Sequence, residues 1–141
     1  GINEGPSFVD FHGIRGIVYS AHGSWTCDYK LGLLNLTGSN PLDPKSWTKR
    51  DSPLLSSDRS KGGPYGPGHA SFVPTNDGRI LCMFHCTFNV DDGWENRKAR
   101  VMCLNAQDFS PSADCCCCAT GETPGDRPGG LLGKIINAVK K

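Results

Sequence analysis

Between Pro6 and Ala106 the chain is cut repeatedly by Gly, Pro, Asn and Asp, and the apolar segments left between the cuts are too short for helices. That punctuation restricts the chain to β structure. The segments PSFVDF (6–11), GIVYSA (16–21), YKLGLLNL (29–36) and SWTKRD (46–51) read as strands, separated by HGIR, HGSWTCD and TGSNPLDPK. Consecutive strands joined this way make a natural antiparallel sheet. After a Ser-, Gly- and Pro-rich loop, SSDRSKGGPYGPG (56–68), the same grammar restarts with HASFVP (69–74), a TNDG turn, RILCMFHCTF (79–88) and RKARVMCLNA (97–106). Both halves open on a Ser-Phe-Val segment, a weak internal repeat at about the period of a propeller blade. A single β-sandwich accommodates the same strands.

From Ser110 the pattern changes. Residues 111–130, rich in Cys, Pro and Gly, show no apolar periodicity and read as an irregular linker. Residues 131–141, LLGKIINAVKK, place Leu131, Leu132, Ile135, Ile136 and Val139 on one face of a short cationic amphipathic helix. The run Cys115–Cys118 cannot converge on a tetrahedral metal, and neighbouring cysteines close only strained rings. S-acylation beside the cationic helix is chemically coherent as a membrane anchor; an incidental tail is the preferred reading.

Lys+Arg 15 against Asp+Glu 14 leaves a net charge of +1 with the basic residues scattered, which argues against a nucleic-acid partner. No apolar run is long enough to span a bilayer, and no leader pattern precedes the first strand. Cys27, Cys82, Cys86 and Cys103 are compatible with buried thiols or with two disulfides. Cys82 and Cys86 share one strand face while His85 points away, so this trio fits core packing better than a metal. Asp91 and Asp92 diverge on a loop and make a poor acid/base pair. Asn35-Leu36-Thr37 is a glycosylation sequon of little weight.

Five stretches, NEGP, VYSAHGSWTCDYKLGLLNL, NPLDPKSWTKRDSPLL, YGPGHASFV and DGWENRKARVMCL, stand in the order found in the C-terminal part of glycoside hydrolase family 43 enzymes, which residues 1–110 therefore resemble. These are five-bladed β-propellers that include α-L-arabinofuranosidases, β-xylosidases and endo-arabinanases. The resemblance implies an all-β fold: two four-stranded antiparallel blades, about 1–58 and 59–110, of a partial propeller, followed by the tail and its helix. It also implies hydrolysis of O-glycosidic bonds in plant cell-wall pentose polysaccharides by an inverting acid/base mechanism.

Inversion needs a proton-donating carboxyl and a second carboxylate that activates water on the opposite face. Glu4 of NEGP matches the family's general acid. His69 of GPGHASF matches a histidine facing the central channel, near a calcium ion or ordered water in relatives, and one imidazole would need water to complete such a shell. Arg97 of WENRKAR resembles the arginine whose fork binds the innermost sugar. Trp25 and Trp94 suit sugar stacking or gap filling between blades. No cofactor is required by the chemistry; calcium at the propeller axis is the one candidate.

The base and tuning aspartates of the family have no counterpart in this sequence, so the resemblance implies a C-terminal piece that is weak or inactive alone. Self-association through open blade edges follows from the same incompleteness. A carbohydrate-binding or interaction module without turnover is the competing reading. The expected ligand is an arabinan, arabinoxylan or xylan, with DYKLGLLNL and NPLDPKSW closer to the arabinofuranosidase-type members, and the expected location of the parent protein is extracellular.

Overall fold

A computed structural model describes residues 1–110 and 112. Seven strands form two antiparallel sheets. The first runs in the order β1 (Asn3–Phe11), β2 (Ile14–Ala21), β3 (Lys30–Leu36) and β4 (Trp47–Lys49). The second comprises β5 (Tyr65–Pro74), β6 (Arg79–Thr87) and β7 (Lys98–Asn105). Two short 3-10 turns, Pro44–Ser46 and Trp94–Asn96, introduce β4 and β7. The linker, the Cys115–Cys118 run and the expected terminal helix lie outside the described residues.

The period-2 alternation that marks each strand in the sequence decides which side it buries. In β2, Val18 and Ser20 are buried while Ile17 and Tyr19 face outward; in β6, Ile80, Cys82, Phe84 and Cys86 are buried while Leu81, Met83 and His85 lie on the other face. The inward rows of both sheets meet in one core, to which Val9, Val18, Leu31, Leu33, Ile80, Phe84, Leu104 and Phe109 contribute. Fully burying an aliphatic or aromatic side chain of this kind is worth ~1.5–3 kcal/mol. Strand β5 is the element that packs against β1, β2 and β3, so the two sheets meet along the first strand of the second.

Two expectations need correction. The second sheet has three strands among the described residues, not four. After β7 the chain turns through Phe109 (φ 58), and Ser110 O and Ser112 N bond back to Asn105 and Cys103, so only the start of a fourth pairing is present. Second, the YGPG stretch (65–68) before His69 belongs to the strand rather than to the loop. Register shifts between Tyr65 and Gly68, and between Gly68 and Ser71, let an edge strand carry Pro67 and two glycines.

The dispersed cysteines divide. Cys27, Cys82 and Cys86 are free, and Cys103 is disulfide-bonded. Burial pushes Cys82 to about 12 and Cys86 to about 11, so both remain thiols, as core packing requires.

Candidate active site

At one end of the two sheets the strands lose regularity and polar side chains gather. The β1–β2 register places Glu4 opposite Ser20, and a break in that register follows at once, where Gly5 adopts a left-handed φ of 55°. A side chain on Gly5 would be strained there and would crowd the His69 ring, 3.2 Å from an added Cβ. Glu4 and His69, on different sheets, thereby come to 4.0 Å between Oε1 and Nδ1. The Glu4 side chain keeps 40% of its surface exposed.

The residue that grips Glu4 is Tyr29, which sequence reading treats only as the start of a strand. It is fully buried, and its hydroxyl donates to Glu4 Oε1 at 2.5 Å. Burial, then the hydrogen bond to Glu4, pushes the phenol up to about 12, so at neutral pH it is a committed donor. Its ring fits because Gly68 has no side chain: an added Cβ would sit 1.9 Å from a Tyr29 ring carbon. The glycine in GPGHASF therefore makes room for an aromatic from the other half of the chain.

His85 is the second residue missed. It stacks on Tyr29 at 5.9 Å and on His69 at 6.0 Å between centroids, with Trp94 edge-on at 5.4 Å. Burial first, then Arg97 and His69, lower its pKa to about 4, against a smaller opposing influence from Glu4. Its Nδ1 accordingly stays an unprotonated acceptor for Arg97 Nε at 2.5 Å.

Arg97 immediately precedes β7, and most of its fork is engaged by the protein rather than free for a sugar. Nη1 donates to Ser24 O at 2.9 Å, while Nη2 donates to His85 O at 3.1 Å and also to Gly66 O. The guanidinium also lies 5.2 Å over the Tyr29 ring. With Nε on His85, four of the five N–H groups of a guanidinium are bonded, leaving one on Nη1. Arg97 thus pins the loop before β3 to the second sheet, and desolvation lowers its pKa.

The cluster joins Glu4, His69, Arg97 and Trp94 from the expected set and adds Tyr29 and His85. Trp25 is 61% exposed and meets the cluster only through the backbone of its neighbour Ser24. Calcium takes six to eight oxygens. Around His69 the described groups supply one carboxylate, already bonded to Tyr29, and no set of three or more His, Cys, Asp or Glu residues suited to a metal occurs among the described residues. These residues alone do not fit calcium. No helix among the described residues is long and apolar enough to cross a membrane.

The sequence and fold of the chain match known proteins. A model of glycosyl hydrolases family 43 matches residues 1–112. An extracellular exo-α-(1→5)-L-arabinofuranosidase of Streptomyces avermitilis is 37% identical over 86 residues, covering 60% of this chain and 18% of the relative. An α-L-arabinofuranosidase 43 of Humicola insolens is 33% identical over 78 residues, covering 55% of the chain and 16% of the relative. Among solved structures, an α-L-arabinofuranosidase from Lactobacillus brevis superposes with a TM-score of 0.64 at 30% identity, over 78% of this chain and 36% of that one. A thermostable family-43 glycoside hydrolase gives 0.63 at 28% identity, over 91% and 38%. The chain therefore spans well under half of each of these relatives.

Proposed function

The chain belongs to glycosyl hydrolases family 43, and from that membership we propose that it carries the proton-donating side of a glycosidase of the α-L-arabinofuranosidase/β-xylosidase type. Its substrate is an arabinan, arabinoxylan or xylan of the plant cell wall. The observation that supports this reading is Glu4: a half-exposed carboxyl held on one oxygen by a buried tyrosine and flanked by His69. In an inverting hydrolysis, water attacks the anomeric carbon from one face while its proton passes to a base carboxylate. The glycosidic C–O bond breaks on the other face, and the leaving oxygen takes the proton from the acid.

Glu4 is the acid in this scheme. The base of an inverting pair stands ~6.5–9.5 Å from the acid, beyond the reach of Glu4's own partners, Tyr29 and His69. Trp94, 58% exposed beside His85, offers an indole face to a sugar ring, and the remaining Nη1 proton of Arg97 offers it a donor. The relative from Streptomyces avermitilis is named extracellular, which supports secretion of the parent protein.

Hydrolysis of arabino-oligosaccharides tests the reading, with azide added as an external nucleophile in place of base-activated water. Glu4→Gln is expected to slow release by ~10²–10⁴-fold, the usual contribution of general acid catalysis. Equal rates for the two proteins overturn the assignment. The exposed Trp94 and Trp25 favour one alternative, a carbohydrate-binding module, which saturable binding without turnover in either protein would identify.

A further inference from the structure

We infer that Tyr29 is a positioning residue that fixes which oxygen of Glu4 carries the proton: a directed hydrogen-bond chain keeps Oε1 as an acceptor and reserves Oε2 for proton delivery. The inference rests on the general-acid reading of Glu4 and deepens it.

The chain begins at a backbone amide, which can only donate. His69 N–H donates to Ser20 Oγ at 2.7 Å. Ser20 is fully buried, and its hydroxyl favours ionisation of the Tyr29 phenol, as a donor does. That influence turns the Ser20 proton toward the Tyr29 oxygen and leaves the phenol's own proton to Glu4. Tyr29 has one proton to give, and it goes to Glu4 Oε1. Reversing the polarity would require Glu4 to hold its proton on Oε1 and donate it inward, against the donation from Tyr29.

The surrounding groups reinforce the geometry. His85 and Arg97, bonded to each other, both pack against the fully buried Tyr29 ring, and the missing side chain at Gly68 admits it. Both ends of the chain are also tied to strand registers. Glu4 pairs with Ser20 across β1 and β2, and His69 lies within the second register shift of β5, between Gly68 and Ser71. Oε1 thus faces the protein on both counts, Tyr29 at 2.5 Å and His69 at 4.0 Å.

Carbon-13 NMR of the tyrosine ζ carbons reads the chain directly in the 141-residue protein. Glu4→Gln weakens the acceptor and is expected to bring the Tyr29 midpoint down from about 12 toward 10.0. In that background, Ser20→Ala is expected to raise it again, because a donor to the phenolate is lost. A midpoint unmoved by Glu4→Gln, or lowered further by Ser20→Ala, overturns the proposed direction. The functional arm compares Tyr29→Phe on a methyl and a para-nitrophenyl α-L-arabinofuranoside in the azide-supplemented assay. The methyl glycoside needs the proton and should slow about tenfold or more, while the para-nitrophenyl glycoside, with its good leaving group, should change little. Equal slowing of both makes Tyr29 merely structural. A Glu4→Gln variant with unchanged turnover removes the acid reading instead, and the Tyr29 shifts would stand without it.

Discussion

The two ends of the sheet pair are built from the same seven strands and resolve opposite problems. At one end Phe109, fully buried, closes the core with Phe11 at 6.4 Å and Phe72 at 5.9 Å between ring centroids. At the other, β1 and β5 break register and give up side chains at Gly5 and Gly68, and a buried tyrosine, two histidines and an arginine surround a carboxylate. The first end needs only shape and apolar volume. The second must desolvate polar groups, which is tolerable only because nearly every one has a partner: no buried side-chain nitrogen or oxygen among the described residues lacks a hydrogen bond. The candidate site lies where the sheets are least regular, and the aromatic closure where they are plainest.

That contrast can be broken by substitution. The largest stability loss is expected at the apolar end: Phe109→Ala should cost ~3–5 kcal/mol in urea unfolding, with the Tyr29 titration of the folded protein unchanged. A loss under about 1 kcal/mol would mean the ring closes nothing. Next comes Arg97→Lys, which keeps the charge but loses the fork that reaches Ser24 O, Gly66 O and His85 at once. About 2 kcal/mol is expected, and an effect no larger than that of an exposed cation would refute the clamp.

The smallest expected effect is in the pH dependence of stability. His85 is held at about 4 in the folded chain against 6.5 for the free side chain. The unfolded state therefore binds the proton first. Its contribution is fully present above pH 6.5 and is lost as the pH falls toward about 4. The size is on the order of 1 kcal/mol once partial exposure is discounted. Replacing His85 with Gln should flatten the stability profile in that window while leaving the neutral-pH assembly of the Phe109 end intact; an unchanged profile would place the acid sensitivity elsewhere.

Much of both sheets is legible in the sequence. GIVYSA, YKLGLLNL and RILCMFHCTF each fall within a residue or two of their strands because alternation and turn chemistry are local properties. The strand starts at Asn3 and Tyr65 are less legible, since Gly-Pro pairs signal loops unless a bulge or an edge position accommodates them. Glu4, His69, Arg97 and Trp94 are found by motif, yet motif assigns Arg97 to a sugar where the fold turns most of its fork onto backbone carbonyls. His85 carries a visible signal, a polar residue within an apolar strand, but it weighs more for core packing until its outward face is seen to meet Tyr29.

Tyr29 shows the limit most clearly. In the sequence it is an aromatic at the head of a strand, indistinguishable from one that packs a core, and its partner lies 25 residues away. The β class, the strand segments and the family motifs follow from neighbours along the chain, whose effects are felt within a few residues. Which oxygen meets which hydroxyl depends on the Glu4–Ser20 register, on the bulges of β5 and on the approach of two sheets at Gly68. Only the tertiary structure decides those, because it alone fixes the relative positions of groups that share no local pattern.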